Sequence, residues 1–209
     1  PAAEGTFGRS HYQTSLVEKP SLLAHLPRQF KRYGIDSRTL KHMLPEEAPD
    51  VILVTSSMTY WYPGVIETIR LVKEHYPAVP VILGGTYATL CSEHAHRQSG
   101  ADRIFGHHNL NEFFATIQTP FDQDRFYNTL PDYEQFYESL KYIVFRTSWG
   151  CPFNCAYCAI QSLASSFRRI PSEMLILYLK KYRKKGIGDF VLYDDAFLYP
   201  PKQAKRFLR

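Results

Sequence analysis

Cysteine, methionine and tryptophan are scarce in this sequence, at 4, 3 and 2 of 209 residues. No apolar run approaches the ~18 residues of a membrane span, so the chain is expected to be soluble and to have no membrane partner. Residues 1–30 hold Pro1, Pro20, Pro27 and scattered charges, without the apolar stretch of a secretory signal. A cytoplasmic location is therefore the expectation. A strong charge of one sign is missing too: 25 Lys and Arg face 20 Asp and Glu, a net charge of +5. So small an excess suits a small anionic ligand as well as a nucleic acid, and nucleic acid is not the expected partner. There is no internal repeat and no low-complexity segment. With 44% hydrophobic and 22% charged residues the chain is not of the disordered class. Its length allows one large domain or two small ones.

What is present is an alternation of strand and helix signals. Ser21 to Tyr33 and Ser37 to Leu44 read as short helices, with Ser21 and Ser37 as N-caps. Val51–Val54 is a continuous apolar run, as expected of a strand buried on both faces. A loop from Thr55 to Tyr62 leads to a helix opened by Pro63, with Ile66, Ile69 and Val72 on one face. Val79 to Leu83 is a second strand, closed by Gly84 and Gly85. Ala88 to Gln98 reads as a helix, Asp102 to Phe105 as a short strand and Asn109 to Gln118 as a further helix. Residues 119–140 are an expected linker. A second unit follows: strand Tyr142–Phe145, a cysteine-bearing loop, a helix capped by Ser172 and ended by Gly186, and strand Phe190–Tyr193. The fold class is α/β. Such alternation implies parallel β-α units, with ligands beyond the C-terminal ends of the strands.

Three of the four cysteines fall within the loop Cys151-Pro-Phe-Asn-Cys155-Ala-Tyr-Cys158. This crowding reads as a metal site rather than a disulfide frame. Three thiolates on one loop can hold three irons of a cubane cluster and leave the fourth without a protein ligand, an open position of the kind a reactive centre requires. The alternative is zinc, completed by His108 or Cys91.

The spacing of this loop resembles the signature of the radical S-adenosylmethionine (radical SAM) superfamily. That resemblance implies that Cys151, Cys155 and Cys158 ligate a 4Fe-4S cluster, whose open iron chelates S-adenosylmethionine (SAM). Reductive cleavage of SAM would then give a 5′-deoxyadenosyl radical that takes hydrogen from an unknown substrate. An electron donor such as flavodoxin or ferredoxin is implied as a partner. Tyr157 is placed to contact the adenine. Asp194 and Asp195 stand where relatives carry a Gly-Gly-Glu-like segment that steadies the SAM amino group. Only 59 residues run from Cys151 to Arg209, too few to close a barrel. The expectation is the first units of a partial TIM barrel, in a fragment or a chain completed by a partner.

The front unit resembles the cobalamin-binding domain that precedes the barrel in one radical SAM branch. Ser56-Ser57-Met58 and Gly84-Gly85 carry the resemblance, with 25 residues between Met58 and Gly84. Small residues at strand ends let backbone approach a corrinoid, and Ser56, Ser57 and Thr86 can donate to it. The aromatic stretch Met58 to Gly64 is the candidate wall against the corrin face. The family's Asp-x-His-x-x-Gly element is matched only at His11, with Arg9 and Thr14 in place of Asp and Gly. His11 is therefore not expected to be a lower cobalt ligand. The layout implied is a Rossmann-like cobalamin-binding domain over 1–118, a linker over 119–140 and the start of a radical SAM barrel over 141–209.

The leading reading is a cobalamin-dependent radical SAM enzyme, with methyl transfer or another radical reaction as its outcome. The alternatives are a radical SAM enzyme without cobalamin and a cysteine-ligated, metal-stabilised binding module without catalysis. Cys91 reads by default as a helix cysteine and His107-His108 as a polar loop. Arg168-Arg169 reads as a solvated face, or as a contact for an anionic substrate or the SAM carboxylate.

Overall fold

The computed structural model describes residues 12–134, 140–164 and 166–208. Two compact units emerge: residues 1–87 with 91–104, and residues 88–90 with 105–209. Among the described residues no helix is long and apolar enough to cross a membrane.

The first unit opens with an antiparallel pair, β1 (Thr14–Leu16) and β2 (Lys31–Tyr33). The helix expected over 21–33 is reduced to a single 3-10 turn at Ser21–Leu23, capped by Pro20 rather than Ser21. Pro27 accounts for this, since it can neither donate to a helix ladder nor fit beneath one. Helix α1 (Ser37–Met43) is also capped one residue earlier than expected. Asp36 Oδ1 accepts from Thr39 N at 2.8 Å, and Ser37 Oγ is turned to Glu67, which also pairs with Arg32.

A parallel sheet in the order β3-β4-β5 follows, from β3 (Ile52–Ser56), β4 (Val81–Gly84) and β5 (Arg103–Ile104). Helix α2 (Tyr62–His75) links β3 to β4. Helices α3 (Gly85–Leu90) and α4 (Ser92–Gln98) link β4 to β5. The central strand β4 is buried at Val81, Ile82 and Leu83. Strand β3 is not buried on both faces as its apolar run suggested. Among the described residues it pairs only with β4, and Leu53 is 55% exposed. The buried stripe of α2 is Val65, Ile69 and Val72 with Leu71, one residue away from the expected face at Ile66. Burial of four such side chains contributes roughly 1.5–3 kcal/mol each.

Two polar devices fix the sheet. Asp102 accepts from Val81 N at 2.7 Å and from Lys73 Nζ at 2.5 Å, joining β4, α2 and the entry to β5. At the opposite ends of β3 and β4, Ser56 and Gly85 form an isolated parallel bridge. Gly85 has φ +85°, and a Cβ there would lie 2.4 Å from Thr55 Oγ1 and 2.7 Å from Ser56 O.

The second unit holds helices α5 (Leu110–Thr116) and α6 (Gln123–Asn128), then β6 (Tyr142–Phe145) and β7 (Ser148–Trp149). Next come α7 (Ile160–Leu163), β8 (Arg168–Arg169), α8 (Ser172–Lys184), β9 (Asp189–Leu192) and α9 (Pro201–Phe207). Strands β6 and β9 pair in parallel, with Ile143 opposite Phe190 and Phe145 opposite Leu192. That face meets Leu175 and Tyr182 of α8 and Phe207 of α9, while Val191 on the other face is exposed. Helix α8 is preceded by Pro171 at its cap, so Ser172 is its first residue and not its cap.

The expected linker is more structured than its composition suggested. Asp122 caps α6 by accepting from Arg125 N at 3.0 Å. Phe121 stacks on Phe114 at 4.7 Å, and Phe126 stacks on Trp149 at 6.2 Å. Among the described residues of this segment, Phe121, Phe126 and Tyr127 are half-buried in this aromatic packing.

Two outcomes are expected. First, bonding to Lys73, then to Val81 N, holds the Asp102 carboxyl below its usual value of 3.8. A lowered carboxyl contributes stability above its unfolded value and loses it as pH falls through the folded one. Asp102→Asn, at this half-exposed and screened site, should therefore cost about 1 kcal/mol at pH 7 in urea unfolding. The difference from the parent should shrink below about pH 4; equal stability at pH 7 would refute the tie. Second, Gly85→Ala should cost about 1–3 kcal/mol, because its φ is left-handed and its Cβ position is filled. A melting temperature unchanged from the parent would refute the close approach.

Candidate functional site

The cysteine loop leaves the C-terminal side of β6 and is framed at its foot by the β7–β8 ribbon, with Ser148 opposite Arg169 and Trp149 opposite Arg168. Gly150 begins the loop at φ +69°, where a Cβ would lie 2.9 Å from Ser166 O and 3.1 Å from Ala164 Cβ. Only glycine fits that closure. Gln161 Nε2 donates to the carbonyls of Cys151 at 2.8 Å and Phe153 at 2.6 Å, and Cys158 N donates to Cys155 O at 3.0 Å. The ring of Phe153 meets Tyr199 at 5.4 Å. The foot of the loop is thus tied, and its middle faces solvent.

Cys151 is half-buried, Cys155 and Cys158 are exposed, and all three are free thiols. Among the described residues no three His, Cys, Asp or Glu side chains already converge as a metal ligand set. The donor chemistry nonetheless fits a soft metal centre: three unpaired thiols on one loop, open to an incoming ion. Tyr157 is 92% exposed, and its phenol is pushed above its usual value by the charge of Cys155, by bonding to Cys155 and by Cys158. The tyrosine expected to reach an adenine therefore lies against the thiols.

The acidic pair after β9 divides. Asp194 accepts from Thr147 N at 3.0 Å, Thr147 Oγ1 at 2.8 Å and Ser148 Oγ at 2.5 Å. Thr147 and Ser148 are each 1% exposed. Asp194 joins the end of β9 to the foot of the cysteine loop, and its oxygens are already occupied. Asp195 is left with the open carboxylate. Desolvation raises its pKa and the charge of Asp194 adds to this, opposed by Arg146. The Arg146 guanidinium lies 4.0 Å over the ring of Trp149.

His107 and His108 reach the same neighbourhood. His108 Nε2 is 3.0 Å from Ser162 O on α7. Desolvation, then the charges of His108 and Arg146, hold His107 below the usual imidazole range. Arg169 is no solvated face either, since it donates to the carbonyls of Phe197 and Tyr199. Arg168 lies over Tyr127 at 4.9 Å. Sequence reasoning did not find Gln161 or the anchoring by Asp194. Neither belongs to a local pattern, and Asp194 meets its donors 46 and 47 positions away.

In the first unit, Ser56 is buried and its Oγ donates to Met58 O at 2.6 Å. That bond closes the turn after β3. Gly85 serves the Thr55–Ser56 backbone, and Gly84 caps α3 in an extended conformation. Thr86 is half-buried in the first turn of α3. Ser57, Met58, Tyr60 and Trp61 are exposed beyond the end of β3. Thr55, Ser56 and Trp61 line a cleft of about 310 Å³ together with Arg32, Ser37 and Glu67. An exposed apolar and aromatic face beside small strand-end residues suits a flat macrocycle. Cys91 is a half-buried residue between α3 and α4. His11 lies outside the described residues.

Residues 33–110 match the model of the B12 binding domain family. An alignment of 145 positions that covers 62% of this chain is 26% identical to the tRNA-2-methylthio-N(6)-dimethylallyladenosine synthase of Natranaerobius thermophilus. The chain spans 31% of the length of that relative. No solved structure matches the chain. The segment matched by the B12 binding domain runs from the end of β2 to the start of α5, and it contains Ser56, Ser57, Met58, Gly84, Gly85 and Thr86.

Proposed function

We propose that this chain is part of a cobalamin-dependent radical SAM enzyme. The reading rests foremost on three free thiols, Cys151, Cys155 and Cys158, on one exposed loop past the first strand of a parallel β-α-β unit. The family match over 33–110 supports cobalamin as the ligand of the front segment. Similarity to a synthase of a modified tRNA nucleoside supports an enzyme. Residues 1–118 form the cobalamin-binding part, 119–140 the connection, and 141–209 the start of a radical SAM barrel.

Cys151, Cys155 and Cys158 would hold a 4Fe-4S cluster. With SAM on its open iron, such a cluster supplies the single electron that cleaves the sulfonium. Asp194 fixes the foot of the loop through Thr147 and Ser148. Asp195 is the carboxylate left for the SAM ammonium, beside Arg146. Tyr157, beside Cys155, would contact the adenine of SAM. In the front segment, Ser57 and Thr86 would donate to the corrinoid, and Met58 with Trp61 would wall its face.

A second reading, radical SAM chemistry without cobalamin, is favoured by one observation. The space at Gly85 is filled by Thr55 and Ser56, so that small residue already has a purpose within the fold.

Anaerobic reconstitution with ferrous salt and sulfide should yield about four irons and about four sulfides per chain, and Cys155→Ala should lose the cluster absorbance. Stoichiometric zinc without that absorbance would instead indicate the metal-stabilised module. Titration with hydroxocobalamin should shift the corrin bands; unshifted bands would select the second reading. Asp194→Ala should lower stability by about 2 kcal/mol through loss of charge-assisted bonds. Asp195→Ala should leave the melt and the cluster content unchanged while weakening SAM binding by calorimetry. The reverse pattern would exchange the two roles.

A further inference from the structure

A cavity of about 260 Å³ lies beside the C-terminal end of β6, between the first turn of α8 and the outer part of α9. Thr147, Arg169, Ser172, Gln203, Arg206 and Phe207 contribute to its lining, and no acidic side chain does. Glu173, on the first turn of α8, stays out of it. Two guanidinium groups therefore share one small space with a carboxamide and two hydroxyls, of which that of Thr147 is committed to Asp194.

Arg169 carries the argument. Its Nη2 donates to the carbonyls of Phe197 and Tyr199, which fixes the side chain. Its Nε is buried and has no acceptor among the described residues. A buried N–H without a partner carries a desolvation cost that an arriving acceptor would relieve. Pro171 caps α8 without a side-chain acceptor, so the first-turn N–H groups add to the same positive field.

We propose that this cavity binds a phosphate group borne by a small molecule. Arg206 offers a planar fork of donors and Arg169 the N–H groups that its two carbonyl bonds leave over, and a phosphate has acceptor oxygens and charge enough for both guanidinium groups. A carboxylate, with two oxygens and one charge, matches one fork alone. The site lies at the C-terminal side of a parallel strand, where ligands of such sheets gather. It is independent of the cysteine loop reading, since it needs neither a metal nor SAM.

Calorimetric titration of the full chain with inorganic phosphate, pyrophosphate and acetate at near-physiological salt tests this. One saturable site for phosphate or pyrophosphate is expected, with acetate at least ten-fold weaker. Arg206→Ala should weaken phosphate at least ten-fold without changing the melting temperature. Gln203→Ala should weaken it less, and Arg206→Lys, which keeps the charge and loses the fork, should fall between parent and Arg206→Ala. Lys184→Ala, at the far end of α8, should bind like the parent. Absent saturation, equal binding of acetate, an unaffected Arg206→Ala or an equal loss in Lys184→Ala would each overturn the proposal.

Discussion

The side chain of Asp194 holds both residues that lead into the cysteine loop. Its oxygens receive one backbone N–H and two hydroxyls, from Thr147 and Ser148, which are themselves shut off from water. Charge-assisted bonds in such surroundings are strong, and the cost of leaving one unmade is high. The bond from Tyr193 N to Phe145 O at 2.8 Å extends the β6–β9 ladder to the same point. Everything the loop presents is therefore referred to the ends of two parallel strands.

The first unit uses a related arrangement at its own strand ends. There the backbone of β3 meets Gly85 so closely that no side chain fits between them. Asp102 fixes the other end of β4 to α2. With both ends of the central strand held, the residues after β3 are free to project. This is the usual placing of function in parallel α/β folds, where rigid strands carry variable loops.

The cysteine loop was readable because its three thiols lie within eight positions, and Val81–Leu83 because a buried central strand is apolar throughout. The two neighbouring glycines marked the end of that strand, though not the reason for it. Gly85 makes room for the chain's own backbone, a fact that depends on which strands pair. The exposure of Leu53 was not legible for the same reason, since an apolar run does not say whether a strand has one neighbour or two. Asp36 and Ser37 are both good caps by composition, and the choice between them followed from Glu67, some 30 residues on. The aromatics of 119–134 looked like a linker because their partners, Phe114 and Trp149, lie on either side of it in sequence. The difference between Asp194 and Asp195 was not legible, because one of them has donors that only the folded strands supply.

Gly150, Gln161 and Asp194 build the foot of the loop from hydrogen bonds and backbone shape alone. Oxidising the thiols therefore removes none of the contacts on which the sheet stands. Damage by air would then be confined to the exposed tip, and the strands beneath it would keep their packing.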